Sequence, residues 1–332
     1  MNFTLIVCTY MRAQSLLRLL HSVNTQSLYP QDIIIVDGST NEETEHIIAQ
    51  NSFKNLRYFR VDATTRGLTK QRNYGVGQVG NAVDVVCFLD DDTILEAEYF
   101  KNVIGTYEQY PKALGVGGYI TNEVNWNPLT TTTDLKHKYV YDDWLRTEPL
   151  RFRIRKLFGL DPDRPPCVLP TFSHGRSVSF LPPSNKIYSV ELFMGGVSSY
   201  RLSVFNNFRF STYFEGYSLY EDADFCLRLS KIGDLYVNTS ARLSHHHDHA
   251  GRPNAFKYGK MVIRNGWYVW RVKYPKPSLM ARIKWNMTAF LLMKLTFVRL
   301  LTSTNKKQSF SEGVGRLIGL FSLLWRKPKI EL

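Results

Sequence analysis

The chain lacks clustered cysteines and an unbroken apolar run of spanning length, and it has only two acids in its final quarter. Its four cysteines, Cys8, Cys87, Cys167 and Cys226, lie far apart with no C-x-x-C pair. That excludes a disulfide framework and a cysteine-rich zinc site, and it fits a reducing, cytosolic setting. The opening MNFTLIVCTY has no basic n-region and only a short apolar run, so no secretory leader is expected. The most apolar stretch, WNMTAFLLMKLTFVRLL at 285–301, is broken by Lys294 and Arg299. It falls short of the roughly 20 apolar residues of a spanning helix. There is no internal repeat and no long polar tract that would imply disorder.

The acids are unevenly placed. The net charge is +13 over 332 residues, yet residues 251–332 hold 17 Lys and Arg against only Glu312 and Glu331. The preceding 250 residues hold 25 Lys and Arg against 27 Asp and Glu. A near-neutral body therefore carries a strongly basic tail, as a protein that meets an anionic surface does. The tail is too apolar for a nucleic-acid binder, which needs a groove-entering helix or a stacking sheet with basic flanks. A membrane surface is the expected partner, and nucleic acid is not.

What is present in the first 120 residues is alternation. FTLIVCTY, DIIIVDGS, LRYFRV, DVVCFLD and ALGVGGYI are apolar runs of strand length. Between them lie segments of helical spacing, such as QSLLRLLHSV and EAEYFKNVIGTYEQY. Near-continuous apolar strands alternating with helices predict a doubly wound, mostly parallel α/β sheet with helices on both faces. Asn41 is the expected N-cap of the second helix. Phe225, Leu229 and Ile232 are expected to share a face of a short helix stopped by Gly233. The expected division is an α/β domain over 1–252, with an irregular insertion at 122–190. A basic, apolar helical extension follows over 253–332.

In such sheets ligands sit outside the carboxyl ends of the strands. Thr9 and Tyr10 after the first strand, Asp37 after the second, and Asp90, Asp91 and Asp92 after the fourth all fall on that rim. Three successive carboxylates repel one another, and a hard divalent cation with oxygen ligands offsets that repulsion. A solvated acidic turn that opens the next helix is the plainer alternative. YEDADFCLRLSKIG places acids in a first helical turn, where the dipole favours the ionised form of Asp222, and Asp224 faces Arg228 at i+4. HHHDHAGR crowds four histidines onto one loop without a cysteine. It reads as one metal ligand among polar neighbours, as solvated histidines, or as a zinc site.

Six segments in order, VCTYMR, IIIVDGST, GLTKQRNYGV, FLDDD, GGVSSYR and YEDADFCLRLSKIG, resemble family 2 glycosyltransferases of the GT-A fold. The resemblance covers roughly residues 3–265. It implies that Thr9, Tyr10, Arg12, Asp37, Arg66, Arg72, Asp90 and Asp91 surround a nucleotide-sugar donor. It further implies that Asp90, Asp92 and His245 hold Mg or Mn, and that the base is Glu221 or Asp222. Gly195 and Gly196 would lie on the acceptor side, with Arg252 and Arg264 facing diphosphate groups. The resemblance implies inverting transfer to a glycan, or to a lipid-linked glycan of cell-surface polysaccharide, on the cytoplasmic face of a membrane. A helical pair packing on the catalytic body or on a homodimer partner is the other use of the tail, and the insertion at 122–190 would shape the acceptor region. VDGS stands where the family more often has VDDGS, and the Q-x-x-R-W signature of processive polymerases is absent, so single additions are expected. FLDDDTIL also echoes the D-x-D-x-T phosphatase loop, without its glycine and after the wrong strand.

Overall fold

The computed structural model describes residues 1–131, 134–214, 217–246 and 254–330. In chain order the elements are β1 (Phe3–Thr9), α1 (Ala13–Asn24), β2 (Asp32–Asp37), α2 (Glu43–Gln50), β3 (Leu56–Arg60), α3 (Leu68–Gly77), β4 (Val85–Asp90), β5 (Thr93–Leu95), α4 (Tyr99–Gln109) and β6 (Ala113–Ile120). There follow β7 (Asn127–Pro128), β8 (Lys138–Tyr141), β9 (Trp144–Thr147), α5 (Leu150–Leu157), β10 (Ile187–Val190), β11 (Val197–Arg201), α6 (Glu221–Leu229) and β12 (Asp234–His245). The C-terminal helices are α7 (Ala255–Lys273), α8 (Leu279–Val298) and α9 (Lys306–Trp325). The chain forms two compact units, Met1–Asn125 with Leu181–Gly251, and Trp126–Phe180 with Arg252–Leu332.

The first unit is built on one sheet in the order β10-β12-β6-β11-β4-β1-β2-β3, with β5 added against β12. β1 pairs in parallel with both β2 and β4, and β2 with β3. β11 runs antiparallel between β4 and β6. The expected doubly wound, mostly parallel sheet is therefore present. The two-residue period of the strands explains how both faces are covered. Leu5, Val7, Ile33, Ile35, Cys87 and Leu89 pack with Leu16, Leu19 and Leu20 of α1 and Phe100 and Val103 of α4. Their neighbours Ile6 and Val36 meet α3, where a Cβ on Gly75 would come within 2.8 Å of Ile6. Phe88 stands edge-on to Phe210, 5.3 Å between centroids, and Phe210 stacks on Phe225 of α6.

Two local expectations shift. The helix expected from Asn41 starts at Glu43, because its first bond, His46 N–H to the Glu42 carbonyl, begins one residue later. Ile232 lies beyond the end of α6 and is 63% exposed, whereas Phe225 and Leu229 are buried; Gly233 still donates to the Leu229 carbonyl.

The second unit holds a three-stranded antiparallel sheet, β7-β9-β8, the helix α5, and α7, α8 and α9. Side-chain oxygens of Asn254, Ser278 and Asn305 cap the three C-terminal helices. α7 and α9 pack backbone to backbone: a Cβ at Gly259 or Gly315 would overlap a carbonyl of the other helix. Trp270 and Trp285 stack in the unit's core with Leu160, Phe172 and Ile263. Among the described residues, no helix is long and apolar enough to cross a membrane.

Candidate active site

The rim begins where β1 and β4 end side by side, at Cys8 opposite Asp90. Chain connections leave β1 toward β2 on one side and return at β4 on the other, the switch point where α/β sheets bind ligands. Of the three acids here, Asp91 turns inward. It is 3% exposed, accepts from Thr9 Oγ1 at 2.6 Å, and pairs with Arg12 at 3.1 Å. Burial pushes Asp91 up to about 7, with Arg12 and Thr9 pulling the other way. Arg12 also reaches Asp92 at 3.4 Å.

Asp90 and Asp92 converge with His245, each offering one ligand atom within 4.8 Å of the others. The sequence separation from Asp92 to His245 is closed by the antiparallel β5–β12 ladder, which pairs His245 with Thr93. The backbone is fixed further: His245 N–H donates to Asn122 Oδ1 and its carbonyl accepts from Asn122 Nδ2, both at 2.9 Å. His246 N–H donates to the Asp92 carbonyl. On the ring, Nε2 lies 3.0 Å from Asp92 Oδ1 and Nδ1 lies 3.4 Å from Glu123 Oε1. Burial opposes the charged imidazole, but the hydrogen bonds to Asp92 and Glu123 outweigh it and push His245 up to about 10. Two carboxylates and one imidazole, with a carboxylate behind the imidazole, form a donor set that suits Mg or Mn. The residues present therefore fit the expected ion.

A second acidic group comes from α6. Arg72 of α3 is 2% exposed, lies over the rings of Phe88 and Phe210, and bridges two acids. Its Nη1 is 2.5 Å from Glu221 and its Nη2 is 3.7 Å from Asp90. Glu221 is buried, and burial raises its pKa against the pull of Arg72. Asp222 is only half-buried. It accepts from Gly195 N–H at 3.1 Å and from Ala223 N–H at 2.7 Å. Burial raises its pKa, and those two donors oppose the rise. Asp224 is fully buried and paired with Arg228, as its spacing predicts.

Gly195 and Gly196 are where the two acidic groups meet. A Cβ on Gly196 would overlap the Asp90 carboxylate. One on Gly195 would overlap Glu221 and come within 2.8 Å of Arg72. Here glycine is required by close approach of side chains to backbone.

Along the rest of the rim, Tyr10 is 38% exposed, with the Arg66 guanidinium over its ring. Arg66 donates to the Gly38 carbonyl at 2.7 Å. Asp37 is fully buried and accepts from Ser39 N–H and Tyr58 O–H. Thr9 is buried, with its hydroxyl on Asp91. Arg264 lies on α7 and donates to Ser322 Oγ and the Arg326 carbonyl at the end of α9. Arg252 lies outside the described residues, as do the second and third further histidine-loop positions, His247 and His249. Two residues that the sequence did not flag belong here. Gln71 is buried and donates to the Thr9 and Val36 carbonyls, tying the ends of β1 and β2. Glu123 backs His245. Neither carries a local signal, since the partner of each is far away in sequence.

A mixed sheet of this winding, with an acid pair at the switch point and a second acidic helix start beside it, is a GT-A type fold. The family model of glycosyl transferase family 2 matches residues 4–193, and the chain belongs to that family. It is 30% identical over 124 residues to a glucosyl-dolichyl phosphate glucuronosyltransferase of Haloferax volcanii, which is 36% of this chain and 38% of that protein. It is 29% identical over 130 residues to an O-antigen chain rhamnosyltransferase of Salmonella typhimurium, 39% of this chain and 40% of that one. The chain thus matches about two fifths of each of these relatives. A crystal structure of S. aureus TarS is similar in fold, with a TM-score of 0.51, 16% identity, and coverage of 97% of this chain and 80% of that one.

Proposed function

We propose that this protein transfers a sugar from a nucleotide-diphosphate sugar to an acceptor hydroxyl, one unit at a time, with inversion at the anomeric carbon. The observation that carries the reading is the convergence at Gly195–Gly196. There Asp90, with Asp92 and His245, stands on one side and Asp222 on the other.

Asp90, Asp92 and His245 would hold the divalent ion, and Glu123 fixes the ring of His245. The ion, when bound, supplies positive charge against the departing diphosphate. Tyr10 and Arg66 offer an exposed aromatic face and a cation for the nucleotide. Asp222 takes the proton of the attacking hydroxyl at a carboxylate oxygen. Its half-buried position leaves it accessible, and the Gly195 and Ala223 N–H groups hold it in place. The burial of Glu221 and its bond to Arg72 favour Asp222 over it for that role. Arg72 is a positioning residue that holds Asp90 and Glu221 together. A single displacement with the base opposite the leaving group inverts the centre.

The acceptor in this reading is a lipid-linked glycan at the cytoplasmic face of a membrane. The support is the basic, apolar tail and the two relatives, which are named for transfer to a glucosyl-dolichyl phosphate and for an O-antigen chain. Thermal-shift titration with a panel of nucleotide sugars, with and without Mn or Mg, tests the donor side. A metal-dependent shift that Asp92→Ala abolishes is expected. No shift with any sugar nucleotide in either ion sinks the proposal. NMR of the product's anomeric proton tests inversion.

A further inference from the structure

We infer that the cavity between α7, α8 and α9 binds the phosphate headgroup of an anionic phospholipid and so seats this unit on an anionic bilayer. The inference rests on the membrane-facing part of the proposed function and gives it a site. The cavity has a volume of about 500 Å³. Trp267, Trp270 and Trp285 wall it, Arg271, Arg282 and Lys327 line it, and no acid does. Trp270 and Trp285 stack with centroids 5.8 Å apart. Arg271 lies over Trp267 and Trp270 and donates to the Tyr274 and Pro275 carbonyls. Its pKa is lowered, first by burial and then by the like charge of Arg282. Glu312, the only acid of the described tail, is taken by Arg316. Trp285 is 3% exposed, and its indole N–H is buried without a hydrogen-bond partner. The polar groups in these side chains are thus mostly donors, and three are cations. A phosphate, with several acceptor oxygens and negative charge, is the ligand such a set takes.

The surroundings select a lipid as the carrier of that phosphate. Phe321 and Leu324 line the same cavity and are 51% and 69% exposed. α8 buries Ala281, Trp285, Ala289 and Met293 on one side. Its opposite side exposes Leu279, Met280, Ile283, Met287 and Phe290, an apolar stripe on a helix that also carries Arg282, Lys284 and Lys294. Ile318 and Trp325 of α9 are exposed as well. A contiguous exposed apolar stripe with cations beside it is how a helix lies in a headgroup layer, and none of these helices is able to span.

Flotation of the full chain with phosphatidylcholine vesicles, with and without phosphatidylglycerol, tests the site. Partitioning is expected onto the phosphatidylglycerol vesicles. Removing two cavity cations, Arg282→Gln with Lys327→Gln, is expected to lower it about 30-fold. Trp285→Phe keeps the ring, removes the N–H, and is expected to lower it about tenfold. Lys306→Gln with Lys307→Gln removes the same charge from exposed positions at the start of α9, away from the cavity lining, and is expected to cost much less. Equal losses from the two lysine-containing pairs, or none from the cavity pair, overturn the site while leaving membrane attachment standing. No partitioning of the parent chain overturns both. Stabilisation by inorganic phosphate without vesicle binding assigns the cavity to a soluble anion and overturns the lipid.

Discussion

Glu221→Gln and Asp222→Asn separate the two neighbouring acids by opposite effects. Arg72 is almost fully buried, with Glu221 at 2.5 Å and only the partly exposed Asp90, at 3.7 Å, as a second counter-charge. Removing one partner of a buried ion pair costs about 3–5 kcal/mol, because the other charge stays in low dielectric. Glutamine still offers an oxygen to Arg72, so the expected cost lies at or just below the bottom of that range, about 2–3 kcal/mol. At about 2–4 °C per kcal/mol, the melting temperature should fall by roughly 5–10 °C. Among the described residues Asp222 has no ion pair to lose, and an asparagine oxygen can still accept from Gly195 N–H. Its variant should melt close to the parent, yet transfer should fall about 10²–10⁴-fold with the general base gone. The assay is a melt of each variant beside product formation at saturating donor and metal. A Glu221→Gln protein that melts like the parent but does not transfer, beside an active Asp222→Asn, would refute the assignment and make Glu221 the base.

Gly196→Ala should abolish transfer and weaken metal binding together, since its Cβ would displace the Asp90 carboxylate; Mn titration by electron paramagnetic resonance reads the second effect. Glu123→Gln should lower Mn affinity about 10–100-fold, as expected when the group that orients a ligating histidine is altered; unchanged affinity removes His245 from the ligand set. The fold should weaken in acid through His174, whose pKa is lowered from 6.5 to about 3 by burial and by Arg155, Arg151 and Arg316. Because the folded-state value is the lower one, the unfolded chain binds the proton first. Stability is therefore lost as pH falls from about 6.5 toward 3. His174→Gln should flatten that slope in urea melts taken across the window.

The sheet was readable because its strands are buried on both faces and read as unbroken apolar runs, each ending in the polar residue that reaches the rim. The D-x-D and the acidic start of α6 were readable for the same reason: each is local, and each abuts an element end. Arg72 was legible only as a member of a motif. Its position between Asp90 and Glu221 depends on α3 packing over β1 and β2 so that Arg72 reaches the ring of Phe88 on β4, which no local pattern encodes. Asn122 clamps the His245 backbone and Gln71 ties two strand ends, each through partners distant in sequence, although Gln71 also accepts from the nearby Gly67 N–H. Their local sequence is that of any polar turn or helix. The exposed stripe on α8 is hidden in the sequence for a different reason. α8 is apolar on its buried side too, and Lys294 continues the exposed stripe four residues after Phe290, so no single-faced pattern emerges.

The three consecutive acids are resolved by the turn that follows β4. Asp90 closes the strand and Asp91 and Asp92 make the turn into β5, which brings Asp90 and Asp92 to His245 and sends Asp91 into the protein. There Asp91 anchors Thr9 and Arg12 and so binds the end of β1 to the end of β4. The middle acid thus builds the edge on which the outer two stand. Arg72 does the corresponding work across the other gap, since its guanidinium holds Asp90 of the metal side and Glu221 of the base side at once. In the proposed mechanism the metal-binding and proton-accepting groups are therefore coupled through Arg72. A change at Asp90 is felt through Arg72 at the first turn of α6, where Asp222 sits. Loss of the ion should consequently alter the environment of Asp222 even in a protein whose sequence is intact.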